Sequence, residues 1–110
     1  MPGVPDNSVF HAIADPTRRA LLDLLGEGER SVKGLAAPFA MTRPAVSQHL
    51  RVLRRAGLVT ERKVGRERHY RLRAAPLREV RDWVGQYERF WRDRLGALSE
   101  YLDEEGEEAS

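Results

Sequence analysis

Apolar residues recur at helical spacing through the first half of the chain, alternate over a short middle stretch, and return to helical spacing near the end. A short apolar segment, Val9 to Ala14, precedes Asp15-Pro16, an N-cap followed by a proline at the first helical position. A second helix therefore starts near Pro16, turns Ala20, Leu21, Leu24 and Leu25 inward, and ends at Gly26 and Gly28. In "SVKGLAAPFA", Ser31 caps a short third helix with Val32, Leu35 and Ala36 facing inward, and Pro38 forbids a longer run. Thr42 caps a fourth helix that runs to about Ala56 before Gly57; its Pro44 falls in the first turn, where a missing amide hydrogen costs nothing. Beyond Gly57 the runs "LVTERKV" and "RHYRLR" predict a β-hairpin joined by "GRE", with Leu58, Val64, Tyr70 and Leu72 inward. Pro76 then opens a final helix to about Leu102, whose broad apolar face carries Val80, Trp83, Val84, Tyr87, Phe90, Trp91, Leu95, Leu98 and Leu102. The expected fold is mainly α with a small β-hairpin: one domain over 8–102, an N-terminal tail 1–7 and an acidic C-terminal tail 103–110.

The fourth helix has two distinct faces. At about 100° per residue, Val46, Leu50 and Leu53 share one narrow apolar sector. Roughly opposite lie Pro44, Gln48, Arg51 and Arg55, with Ser47 on the flank and Thr42 and Arg43 at the N-terminal end. These side chains can hydrogen-bond base edges and phosphates, on a helix of a diameter that the major groove admits. The helix N-terminus adds partial positive charge and free amides. A solvated surface face is the plain alternative for the helix alone. Its neighbourhood favours a ligand, because a short helix, a tight turn at "FAM" and a longer helix make a helix-turn-helix, and a basic hairpin follows it. That hairpin supplies Arg62, Lys63, Arg66, Arg68 and Arg71 beside the same groove.

Charge sharpens this picture. The formal net charge of +2 conceals a basic middle, with ten Lys or Arg against two acids from Arg43 to Arg73, and an acidic end, "DEEGEE". The first points to a polyanion; the second reads as a solvated tail. Seventeen of the nineteen bases are Arg, which suits bidentate phosphate or base-edge contacts. With no cysteine, disulfides and thiolate metal sites are excluded. No apolar run approaches the roughly 20 residues that cross a bilayer. "MPGVPDNS" has neither the basic nor the apolar region of a signal peptide, so no membrane and a cytoplasmic address are expected. No nucleophile elbow or Gly-rich phosphate loop is present, so neither enzymatic activity nor a cofactor is expected.

Five of the eight aromatics, Trp83, Tyr87, Phe90, Trp91 and Tyr101, fall in the last helical segment. A small monomeric core could hardly absorb them, so an isologous contact with a second copy is expected there. An aromatic pocket for a small effector is the competing reading. His49, at the edge of the apolar sector, reads as a partly buried packing residue with a phosphate hydrogen bond as the rival, His69 as structural or a backbone contact, and His11 as weak support for a metal site.

Together, "FHAIADPTRRALLDLL", "LAAPFAMTRPAVSQHLRVLRRAGLV", "GRERHYRL" and "WVGQYERFWRDRLGALSEYL" resemble the winged helix-turn-helix regulators of the ArsR/SmtB family over about residues 8–102. The resemblance implies a homodimeric repressor of transcription, paired through its first and last helices, whose fourth helix reads a palindromic operator in double-stranded DNA. It places Thr42, Arg43, Pro44, Ser47, Gln48 and Arg51 at recognition positions and Gly65, Arg66 and Glu67 at the wing tip. Lys63, Arg66 and Arg68 are the expected phosphate contacts, and Val9, Phe10, Trp83, Tyr87, Phe90, Trp91, Leu95 and Leu98 the expected dimer contacts. Arsenic and cadmium sensors of that family carry a Cys-x-Cys pair where Ser31 and Lys33 stand here, and zinc sensors use a last-helix Asp/His set that His11, His49 and His69 do not match. No metal site of known type is expected, and any effector is left open. Two alternatives stand beside this reading: a winged-helix module docking an acidic protein, and a metal-responsive repressor with non-cysteine ligands.

Overall fold

The computed structural model describes residues 8–109, without the side chains of 97–100 and 103–109. The expected tail 1–7, the Leu98 side chain and the side chains of the acidic segment therefore lie outside the described residues. The chain divides into two compact units at Val80/Arg81.

In the first unit each helix begins where a side-chain oxygen meets its free amides. Ser8 caps α1 (Val9–Ile13) by accepting from the Phe10 amide at 3.1 Å. Asp15 caps α2 (Pro16–Leu25) by accepting from the Arg18 amide at 3.0 Å, with proline in the first turn. Ser31 and Thr42 do the same for α3 (Val32–Ala36) and α4 (Arg43–Arg55), accepting from Gly34 and Ala45 at 3.1 and 3.3 Å. α4 ends in a Schellman motif: Leu58 donates to the Leu53 carbonyl at 3.0 Å and Gly57 to that of Arg54 at 2.9 Å, with Gly57 at φ +77.

β2 (Val59–Val64) and β3 (Glu67–Leu72) form the hairpin, and β1 (Arg30–Ser31) pairs antiparallel with the outer side of β3, giving the order β1-β3-β2. β1 was not expected; two residues are too few to show a period. The hairpin loop is Gly65-Arg66, with Gly65 at φ +63. One core joins these elements: Val9 and Ala12 of α1, Leu21, Leu22 and Leu25 of α2, Leu35 of α3, Val46, Leu50 and Leu53 of α4, then Leu58, Val59 and Tyr70. Leu22 is buried, whereas Ala20 and Leu24, expected inward, are only half-buried.

The hairpin corrects one expectation. Leu58 is buried as the residue after the α4 cap rather than as a strand residue, so the inward parity of β2 starts one position later. Val59 and Glu61 share a face with Leu72 and Tyr70, their register partners, while Val64 is 41% exposed because the distal hairpin extends past the core.

The last helical segment is interrupted. α5 (Leu77–Gly85) and α6 (Glu88–Ala109) are separated by Gln86-Tyr87, where Gln86 and Tyr87 donate to the carbonyls of Trp83 and Val84 in three-residue turns. Gly85, a poor helix former, stands at the break. α6 also runs beyond the expected end at Leu102 into the acidic segment, where no proline stops it.

Leu50, fully buried within the α4 stripe, is the sensitive test of this core. Leu50→Ala is expected to lower unfolding free energy by about 2–5 kcal/mol. Urea denaturation at fixed protein concentration measures this, and a loss comparable to a surface substitution, about 0.5 kcal/mol, contradicts the packing.

Candidate nucleic-acid interface

Burial of Val46, Leu50 and Leu53 turns the opposite side of α4 to solvent. Arg43, Pro44, Gln48 and Arg51 are exposed there and Ser47 is half-buried. Thr42, expected at a recognition position, spends its hydroxyl oxygen capping the helix, although it too is exposed. Among the described residues no hydrogen bond or ion pair engages the side chains of Arg43, Gln48, Arg51, Lys63 or Arg66, so these groups are free to meet a ligand.

Two adjoining clefts connect this face to the wing. One, of about 320 Å³, brings together Lys33 of α3, Arg43 and Ser47 of α4, and Arg66 and Arg68 of the hairpin. The other, of about 280 Å³, shares Ser47 and Arg68 and adds Arg51, Arg54, Glu61 and Tyr70. Lys33 was not foreseen as part of this cationic surface; a lone lysine carries no signal without the turn that swings α3 beside the wing.

The hairpin's bases divide between its two faces. Lys63 and Arg68 are register partners on the face shared with Glu61 and Tyr70. Arg62 and Arg71 lie on the other face, where Arg62 makes a two-pronged pair with Glu29 at 2.9 and 2.8 Å. That pairing holds the Glu29 carboxyl below its ordinary value, chiefly through the Arg62 hydrogen bonds. His69 lies beside these groups, 3.2 Å from Glu67 and 3.9 Å from Glu29.

Glu61 is the most connected polar residue of the wing. Its carboxylate accepts from the Tyr70 hydroxyl at 2.8 Å, from Arg68 at 2.9 Å and from Arg54 of α4. These contacts, the Tyr70 bond foremost, hold the Glu61 carboxyl below its ordinary value. Tyr70 is pushed up to about 12, first by burial and then by the bond to Glu61.

Behind α4, the Arg18 guanidinium donates to the carbonyls of Ala12 and His11 at 2.6 and 3.0 Å, closing the end of α1, and reaches His49 Nδ1 at 3.3 Å. Asp15 stands 3.8 Å from the same nitrogen. His49 is thus half-buried and held by α2, not by solvent. Ser31, one of the positions compared with cysteine sensors, caps α3. Among the described residues no group of three or more His, Asp or Glu has the placement to hold a metal, and no helix is long and apolar enough to cross a membrane.

Val9, expected at a dimer contact, is 4% exposed and lies in its own core, while Phe10 is half-buried. In the second unit, Trp83, Tyr87, Phe90, Trp91 and Leu95 are each 44–64% exposed. Trp83 and Tyr87 meet edge to face at 5.7 Å, and Arg89 lies 4.9 Å over the Phe90 ring.

A capped helix with one polar face exposed, a short helix before it and a basic two-stranded wing beside it define a winged helix-turn-helix DNA-binding regulator of transcription. Comparison with known proteins agrees: residues 15–61 match the bacterial regulatory protein, arsR family. The chain is 39% identical over 104 residues to the HTH-type transcriptional regulator Rv2034 of Mycobacterium tuberculosis, spanning 94% of each. It is 36% identical over 78 residues to the transcriptional repressor SdpR of Bacillus subtilis, spanning 71% of this chain and 87% of SdpR. The ArsR-like transcriptional regulator from Rhodococcus sp. RHA1 superposes with a TM-score of 0.67 at 35% identity, over 86% of this chain and 87% of that one. The chain belongs to the ArsR family.

The Glu61 cluster makes stability depend on acid. A carboxyl held low in the folded state stabilises it fully above its unfolded value, near 4.5, and that contribution is lost as pH falls through the lowered folded value. The urea midpoint of the wild type is therefore expected to exceed that of Glu61→Gln at about pH 6, and the gap to shrink progressively as pH falls below 4.5. A gap of constant size across that range would show that the charge of Glu61 is not its source.

Proposed function

We propose that this protein is a transcriptional repressor that binds a two-fold symmetric operator as a homodimer in the cytoplasm. The observation that carries the reading is α4, buried along Val46, Leu50 and Leu53 and presenting unengaged Arg43, Gln48 and Arg51 beside the cations of the wing. Arg43, Ser47, Gln48 and Arg51 read base edges in the major groove, with Thr42 and Pro44 setting the helix entry. Lys63, Arg66 and Arg68 meet phosphates and position the subunit. SdpR, similar over most of its length, is named a repressor, which supports the direction of regulation.

Dimerisation is supported by the aromatic row Trp83, Tyr87, Phe90 and Trp91 with Leu95, too much exposed apolar surface for a chain acting alone. A second copy covers such a face isologously and sets two reading helices one DNA turn apart. Phe10 of α1, half-buried, is a further candidate contact, while Val9 packs within its own core. A cavity of about 300 Å³ lined by Trp83, Tyr87, Phe90 and Trp91 supports the competing reading of these rings as an apolar effector pocket.

Two measurements test this. Gln48→Ala should narrow the ratio of affinities for a selected duplex and its scrambled counterpart by about 1–3 kcal/mol, whereas Arg66→Ala should weaken both alike and reduce the salt slope by about one unit. An unchanged affinity and an unchanged ratio in Gln48→Ala argue instead for a solvated face, and preference for an acidic protein over any duplex argues for the interaction module. In sedimentation equilibrium the wild type should show twice the 12.6 kDa chain mass, and Trp91→Asp should shift it toward a single chain. A wild type that stays monomeric at micromolar concentration excludes the dimer.

A further inference from the structure

Glu61 occupies an unexpected place for an acid. It forms part of the wall of the cleft that contains Ser47 and Arg51, on the face proposed to meet DNA. Its side chain is 14% exposed, while the two arginines it binds, Arg54 and Arg68, are 57% and 65% exposed. One carboxylate oxygen, Oε1, takes both guanidinium groups, and the other, Oε2, is fixed by the Tyr70 hydroxyl. The carboxylate therefore sits beneath two cations that belong to different arms of the site, one on α4 and one on the wing.

Phosphate contacts supply affinity for every sequence, whereas base contacts supply discrimination. A phosphate passing over this cleft must compete with Glu61 for Arg54 and Arg68, while Arg43, Gln48 and Arg51 carry no such partner. On a matched site, base contacts hold α4 in the groove and the exchange from carboxylate to phosphate can follow. On an unmatched duplex nothing offsets the lost ion pairs. Resting on the DNA-binding reading above, we infer that Glu61 is a specificity-determining residue, an internal competitor that withholds Arg54 and Arg68 from the phosphates of unmatched DNA.

The test titrates the full-length wild type, Glu61→Gln, Glu67→Gln and Arg54→Ala over about 50–200 mM salt. The probes are a duplex selected by the wild type from a random library and a scrambled duplex of the same composition. Glutamine keeps an acceptor for Tyr70 but loses the charge that retains both arginines. Glu61→Gln should bind the scrambled duplex about three- to tenfold more tightly at the lower salt, with the log–log slope steeper by about 0.9 for each arginine released. The ratio of selected to scrambled affinity should fall. Glu67→Gln removes the same charge from the wing tip without freeing an arginine, because Glu67 pairs with His69, and should move the slope less than half as far. Equal shifts in the two variants would reduce the effect to bulk charge and overturn the inference. So would Glu61→Gln weakening both duplexes at an unchanged slope. Should Glu61→Gln melt early, Arg54→Ala decides: it should lower the slope on the selected duplex and leave it unchanged on the scrambled one, and an equal drop on both overturns the inference. A wild type that binds neither duplex in a salt-dependent manner overturns the DNA-binding reading itself, an outcome distinct from all of these.

Discussion

Val46, Leu50 and Leu53 stand in one sector of α4 and are wholly excluded from water, and the orientation of that helix follows from their burial. Each such side chain stabilises the fold by about 1.5–3 kcal/mol relative to exposure, so turning α4 about its axis would forfeit several kcal/mol. The polar side has no freedom to choose its direction. Arg43, Gln48 and Arg51 face outward because the core claims the other side, and the Thr42 and Gly57 caps set where the helix starts and ends. Arg18 adds a polar fastening from behind, closing α1 and reaching His49 on α4 with the same guanidinium.

The Schellman motif that ends α4 also sets the parity of the wing. Leu58 is taken by the helix end, so β2 begins its inward alternation at Val59 and reaches Glu61 two residues later, directly across from Tyr70. A slip by one residue would send Glu61 to the opposite face and place Thr60 and Arg62 in its stead. The same parity separates the hairpin's bases into Lys63 and Arg68 on the Glu61 side, and Arg62 and Arg71 on the Glu29 side. A wing that reads as uniformly basic is thus two surfaces, each neutralised in part by an acid of its own chain, Glu61 on one and Glu29 on the other.

Membership of the ArsR family places these features on a scaffold whose relatives include named regulators and repressors. On that scaffold Ser31 stands as a helix cap, Lys33 joins the cationic cleft, and the second unit carries a dense row of aromatics.

Much of this was legible in the sequence. The caps Asp15, Ser31 and Thr42, the prolines behind Asp15 and Thr42, the apolar stripe of α4 and the two-residue period after Gly57 are local signals, carried by side chains acting on backbone within a few residues. The polar face of α4 followed from the same periodicity. The rest depends on residues far apart in the chain. β1 is recognisable only by its pairing with β3, Glu29 meets Arg62 across 33 residues, and Arg18 meets His49 across 31. Nor could periodicity reveal that Val64 lies past the edge of the core, or that the last helix breaks after Gly85. Local propensity and period determine which elements form and which faces they show. Which charged groups neutralise one another and which remain free for a ligand is decided only when the fold brings distant side chains within hydrogen-bond reach.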